Sequence, residues 1–213
     1  VHREAVATPA GVLLPRLAPI TGLHQLILAG GTGLALHLGH RKSVDLDFFT
    51  LEEFVPELLV AELRAAGLSP TVAQLAPGTL AAFVEGAKVS LFQYPYPFVD
   101  RPQLFDGVMI ASVLDIAAMK LIAIAQRSAR RDFVDLYVIL QHTPFRDVAA
   151  RAVKRYGAGM VEPVAIGKGL TWFETADSDP DPQYLERALK WEDVRSFFAS
   201  NFRQFVLDLD AAT

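Results

Sequence analysis

Residues 44–49 read Val-Asp-Leu-Asp-Phe-Phe, and this alternation constrains the fold more than any other stretch of the chain. Side chains of a strand point to opposite faces in turn. Leu46 and Phe48 therefore enter a core, while Asp45 and Asp47 project together from the other face, about 7 Å apart along the backbone. Two carboxylates so placed repel one another unless a cation lies between them. An all-oxygen donor pair suits Mg²⁺ (or Mn²⁺), which keeps waters and phosphate oxygens in its shell. Upstream, Gly30 and Gly31 end a short strand over 25–28 and precede a short helix over 32–38 that Gly39 closes. Backbone N–H groups at such a strand-to-helix turn can face a phosphate, and the missing side chains permit close approach. Ser43 and Thr32 offer hydroxyls to the same site, and His40-Arg41-Lys42 supplies positive charge beside the phosphates. The pattern describes a nucleoside triphosphate held against a divalent metal, ready for in-line attack on its α-phosphate.

Other readings of the same residues are weaker. From Gly31 the run is Gly-Thr-Gly-Leu-Ala-Leu, which lacks the third glycine of a dinucleotide-binding turn. The Gly-Lys-Ser/Thr ending of a Walker loop is absent as well. His37 and His40 are three residues apart, but no third ligand stands at standard zinc spacing. Asp-Leu-Asp taken alone is also compatible with a solvated strand edge.

The rest of the chain supplies two kinds of structure. Residues 10–23 carry Pro15, Pro19 and Gly22 among leucines and read as a short helix or turn. A helix over 52–66 stops at Gly67, and strands over 71–75, 80–85 and 88–94 follow, punctuated by Pro77-Gly78 and Gly86. Prolines 95 and 97 end the sheet. Beyond it the pattern is helical: one helix opening at Ser112 with Asp115 three residues on, one over 130–141 with Phe133, Leu136, Tyr137 and Leu140 on one side, and one over 144–156. Two more are expected over 161–174 and 191–206, joined through the loop Asp177-Ser-Asp-Pro-Asp-Pro. The expected fold is α+β, with a mixed or antiparallel sheet in residues 1–108, a helical part in residues 109–213, and a cleft between them.

Composition narrows the partners. With 20 Lys and Arg against 24 Asp and Glu, the net charge is −4, so any RNA contact must use a local basic patch. There is no cysteine, which removes thiolate sites and fits a reducing cytoplasm. No apolar run reaches the roughly 18 residues of a membrane span. A cytoplasmic protein without membrane partners is expected.

The combination Gly-Gly-Thr-x-Leu-Ala-Leu-His-Leu-Gly-His-Arg-x-Ser-x-Asp-Leu-Asp-Phe-Phe resembles the first motif of the AbiEii family, nucleotidyltransferase toxins of type IV abortive-infection systems within the DNA polymerase β superfamily. Leu114-Asp115-Ile-Ala-Ala-Met-Lys120 looks like that family's Asp-x4-Lys motif, and Arg131-Asp132-Phe-Val-Asp135-Leu136 looks like its Arg/Lys-Asp-x-x-Asp-Leu motif. The resemblance covers about residues 25–140. It implies that Asp45 and Asp47 bind the catalytic metals, that Gly30 and Gly31 bind the triphosphate, that Lys120 binds nucleotide phosphates, and that Asp132 or Asp135 completes the site. It also implies an RNA acceptor, tRNA in particular, and a cognate antitoxin. Helix geometry supports part of this independently, since Asp132 and Asp135 sit on neighbouring turns. Asp115 and Lys120 fall on different sides of their helix, which gives Asp115 a capping or positioning role. Arg127, Arg130 and Arg131, with Arg41 and Lys42, are candidate grips for an acceptor backbone. The sequence departs from many polymerase β-like enzymes in one respect: the strand Lys88-Val-Ser-Leu-Phe-Gln-Tyr carries no third acid. Two rival functions stay open, transfer to a small-molecule acceptor and a non-catalytic nucleotide- or partner-binding module.

Overall fold

The computed structural model describes residues 1–185 and 187–213. The chain forms two compact units, Val1–Ser112 and Val113–Thr213.

The first unit is built on a mixed seven-stranded sheet. After a 3-10 turn at Arg3–Ala5 its elements are α1 (Thr8–Leu23), β1 (Ile27–Leu28), α2 (Gly30–Leu38), β2 (Asp45–Thr50), α3 (Pro56–Ala65), β3 (Pro70–Ala76), β4 (Thr79–Val84), β5 (Ala87–Gln93), β6 (Gln103–Phe105) and β7 (Val108–Ile110). The strand order is β3-β4-β5-β2-β1-β7-β6. The central strand β2 runs antiparallel to β1 and parallel to β5. Burial alternates strictly along β2: Leu46, Phe48 and Thr50 are buried, while Asp45, Asp47 and Phe49 are half-buried. One side of the strand thus joins a core with Leu13, Leu14 and Leu17 of α1, Leu59 and Leu63 of α3, and Val89 and Leu91 of β5. Its other side carries the two acids.

Three local features differ from the sequence reading. Residues 8–23 form a 16-residue helix despite Pro15 and Pro19. Both prolines lie on the exposed side, four residues apart, where water can satisfy the carbonyls their missing N–H groups abandon. Leu13, Leu14, Leu17 and Ile20 bury the opposite side and hold the helix to the sheet. The helix expected from residue 52 begins at Pro56 instead. Proline at the first helical position is favoured, and it keeps Val55 extended, at φ −95° and ψ 112°. The hairpin β6–β7 was not anticipated. Its turn is Asp106-Gly107, both with positive φ, which is the two-residue turn that matches strand twist. Because β7 pairs with β1, residues 109–112 belong to the first unit.

The second unit is helical: α4 (Val113–Arg127), α5 (Arg130–Leu140), α6 (Phe145–Tyr156), α7 (Pro163–Leu170), α8 (Glu174–Ser178) and α9 (Trp191–Ala212). Its core is aromatic. The Phe133 ring meets those of Phe173, Trp191 and Phe198 at 5.3, 5.8 and 5.2 Å between centroids, mostly edge to face. The Glu162 carboxylate caps α7 by accepting from the Val164 and Ala165 N–H groups. Helix α8 takes in Asp177 and Ser178, so the expected loop begins only at Asp179. Among the described residues no helix is long and apolar enough to cross a membrane.

Candidate active site

The antiparallel register Ile27↔Phe49 and Leu28↔Phe48 carries the end of β1 to Asp47, and the Ala29 N–H donates to the Asp47 carbonyl at 3.0 Å. Helix α2 begins one residue later, two residues earlier than the sequence suggested, so both glycines open the helix rather than precede it. Gly30 has φ +62°, and a Cβ there would stand 3.1 Å from Asp47 Oδ2. Glycine is favoured at this position by its left-handed conformation, and a side chain there would have to displace the Asp47 carboxylate slightly. A Cβ on Gly31 would meet Arg41 Nη2 at 2.6 Å and Ser43 Oγ at 3.2 Å. By helix geometry the first N–H groups of α2 lack intrahelical acceptors, and the N-cap residue Ala29 supplies no side-chain cap. Partial positive charge therefore collects beside the Asp47 carboxylate.

The loop joining α2 to β2 is tied down by buried polar groups. Gly39 closes the helix in the left-handed region at φ +64°. The Thr32 hydroxyl donates to the Asp45 carbonyl and lies 2.8 Å from Ser43 Oγ. Both hydroxyls are buried, so their visible work is to fix the start of β2 against the start of α2. Arg41 is buried as well, with Nη1 donating to the Lys42 carbonyl at 3.1 Å, whereas Lys42 is exposed. His37 is bonded through Nε2 to the Ala111 carbonyl at 2.9 Å.

On β5, Lys88 pairs with Asp45 and Ser90 with Asp47. In-register partners on neighbouring strands share a face, so the position beside Asp47 is held by a buried serine. Among the described residues no group of three or more His, Cys, Asp or Glu side chains is disposed to hold a metal ion. The two acids that share this face of β2 are Asp45 and Asp47. A pair of carboxylate oxygen donors fits the chemistry of Mg²⁺, which seldom uses an all-protein cage.

Lys120, Asp132 and Asp135 are brought together in the second unit. Lys120 Nζ lies 2.7 Å from Asp132 Oδ1 and 2.7 Å from Asp135 Oδ2, and all three side chains are buried. Arg127, half-exposed, grips Asp132 through Nε at 2.7 Å and Nη2 at 3.1 Å. Burial is the largest influence on Asp132 and pushes its carboxyl up, but the charges and hydrogen bonds of Lys120 and Arg127 together outweigh it. The carboxyl is held below its ordinary value. Lys120 is therefore no solvated lysine. Arg130 is committed to the tail, with Nη1 2.7 Å from Asp181, Nε donating to the Ala176 carbonyl and its guanidinium over the Trp191 ring. Arg131 is exposed. Asp115 is fully buried and pairs with Arg151 and Arg155 of α6 at 3.2 and 3.7 Å. That pairing spans about forty residues and left no local signal in the sequence.

This combination of mixed sheet, glycine-opened helix and paired strand acids is a nucleotidyltransferase fold. The chain resembles MenT4, a nucleotidyltransferase toxin from Mycobacterium tuberculosis H37Rv, with a TM-score of 0.57 at 18% identity, over 99% of this chain and 96% of that one. It also resembles JHP933 from Helicobacter pylori, with a TM-score of 0.56 at 18% identity, over 93% and 89% of the two chains. An uncharacterized protein of Aquifex aeolicus (strain VF5) is 33% identical over 189 residues, 86% of this chain and 89% of that protein. The family model described as nucleotidyl transferase AbiEii toxin, type IV TA system, matches residues 12–96 and 89–211. The chain belongs to the AbiEii family of nucleotidyltransferase toxins.

Proposed function

We propose that this nucleotidyltransferase moves NMP from an NTP to an RNA acceptor, tRNA in particular, in the cytoplasm, and that a cognate antitoxin restrains it. The observation that carries the catalytic reading is the contact between Gly30 and Asp47: the open start of α2 abuts the carboxylate of a strand that presents a second carboxylate two residues away. Asp45 and Asp47 would hold the metal. A bound Mg²⁺ or Mn²⁺ would neutralise charge on the phosphates and on the leaving pyrophosphate. Gly30 and Gly31 direct backbone N–H groups at the triphosphate, and Thr32, Ser43 and buried Arg41 keep that turn in shape. The acceptor hydroxyl oxygen bonds to the α-phosphorus, the bond from phosphorus to the α–β bridging oxygen breaks, pyrophosphate leaves, and the hydroxyl proton passes to solvent.

For Lys120, Asp132 and Asp135 the resemblance supports a part in nucleotide binding, and their mutual ion pairs support a part in holding α4 to α5. Exposed Lys42 and Arg131 support an acceptor-side role better than Arg41, Arg127 and Arg130, whose cationic groups are engaged by the protein. The test is incubation of purified protein with Mg²⁺ and each labelled NTP, followed by recovery of a deproteinised RNA pool. Label in RNA is expected. Label on small molecules alone would overturn the acceptor, and no label would favour the binding module. In the same assay Asp47→Ala should lower labelling by about 100-fold or more with little change in the melt. Lys120→Ala, read for NTP affinity beside its melting temperature, separates its two roles.

A further inference from the structure

We propose that the aromatic cavity beyond Asp47 on the first unit is the seat of the acceptor's terminal nucleobase; this rests on the nucleotidyl-transfer reading above. Phe49 follows Asp47 by two residues on β2 and so shares the face of the acids, one strand repeat of about 7 Å further along. Its ring stacks on Phe92 at 5.4 Å and meets Tyr94 edge-on at 5.5 Å, and Tyr94 in turn meets Tyr96 at 5.2 Å. These rings adjoin a cavity of about 190 Å³ whose walls include Phe49, Tyr94, Tyr96 and Phe98, with Gln25 and Glu52 as polar groups.

Three properties of the cavity point to a base. Its walls are aromatic rings, on which any base can stack. It is smaller than the roughly 300 Å³ at which sites for drug-sized ligands begin, so it suits one planar ring system rather than a whole nucleotide. None of the lining residues is Lys or Arg, which argues against a phosphate, whereas an amide and a carboxylate can address the edge of a base.

Position assigns that base to the acceptor. Along β2 the glycine turn lies beside the acids, with Gly30 against Asp47 and Gly31 toward Ser43, and the cavity follows beyond Asp47, where Ile27 pairs with Phe49. In-line displacement requires the attacking hydroxyl and the leaving pyrophosphate on opposite sides of the α-phosphorus. With the pyrophosphate toward Gly30 and Gly31, the attacking end falls on the Phe49 side.

The test uses a short single-stranded RNA ending in 2-aminopurine, whose fluorescence falls on stacking, and 2-aminopurine riboside triphosphate as the second probe. Saturable quenching of the RNA probe is expected, weakened about tenfold by Tyr96→Ala and restored by Tyr96→Trp, with triphosphate affinity unchanged. Tyr96 lies in the proline-rich loop after β5, and thermal melts check that each variant folds. If Tyr96→Ala weakens the triphosphate instead, the cavity takes the incoming base and the assignment is overturned. If neither probe responds, it is no base site. The labelling assay runs in parallel: wild type that labels RNA while Tyr96→Ala binds the RNA probe normally overturns this inference alone, and wild type that labels nothing overturns the activity on which it rests.

Discussion

Asp132 is the residue whose charge the second unit depends on most visibly. Its carboxylate is fully buried against Lys120 and Arg127, and its folded value lies below the ordinary 3.8. The folded state therefore binds the proton less readily than the unfolded chain. The resulting stability is present above the ordinary value and is lost as pH falls through the lower folded one. Asp132→Asn should cost about 3 kcal/mol or more at pH 7, because breaking a buried pair strands its partner. The gap to wild type should narrow as urea melts are repeated below about pH 4. A gap unchanged at pH 3 would mean that the amide loses packing rather than charge. The spacing of Asp132 and Asp135 was legible in the sequence as a shared helix face. Their common partner Lys120 was not, since nothing local distinguishes a lysine enclosed by acids from one in solvent.

Helix α1 is the element that local sequence describes worst. Pro15 and Pro19 argue against a helix, yet tertiary burial of four apolar side chains outweighs two lost backbone bonds on the wet side. Pro15→Ala should restore an N–H to the Gly11 carbonyl and raise stability by about 1 kcal/mol. Proline's restraint of the unfolded chain offsets part of the gain. In a chain of this size that is about 2–4 °C in melting temperature by calorimetry. A lower melting temperature would show that the proline ring itself packs usefully. Strand β2 is the opposite case, because alternation of Asp, Leu, Asp, Phe and Phe needs no context to be read. The hairpin β6–β7 lies between these extremes. Asp106-Gly107 is a favoured turn pair, but three-residue strands are too short for a pattern, and it is the pairing of β7 with β1 that joins the hairpin to the sheet.

For the molecule as a whole, charge limits how nucleic acid can be held. A net charge of −4 gives no general attraction to phosphate backbones. An RNA acceptor of the kind proposed would then be held by short-range, selective contacts. Unrelated duplex DNA in large excess over RNA should leave labelling unchanged at about 0.15 M salt, where non-specific affinities are of order 10⁻⁴–10⁻⁶ M for proteins that do bind DNA. Strong inhibition would reveal a basic face that the total conceals. The fold class followed from the order of sheet and helices along the chain. The aromatic cavity did not, because its rings come from β2, β5 and the loop after β5, and the run Tyr94-Pro-Tyr-Pro read only as the end of a sheet.

Ser90 beside Asp47 has a consequence for the order in which ligands assemble. A face with two acids, and Lys88 alongside one of them, carries too little negative charge to strip water from Mg²⁺ or Mn²⁺ unaided. If Asp45 and Asp47 hold the metal as proposed, the nucleotide's own phosphates would supply the remaining ligands, and metal and NTP would arrive as one complex. Equilibrium dialysis against micromolar Mn²⁺ should find the ion retained only when a triphosphate is present. Retention without nucleotide would mean that the protein alone completes the coordination shell.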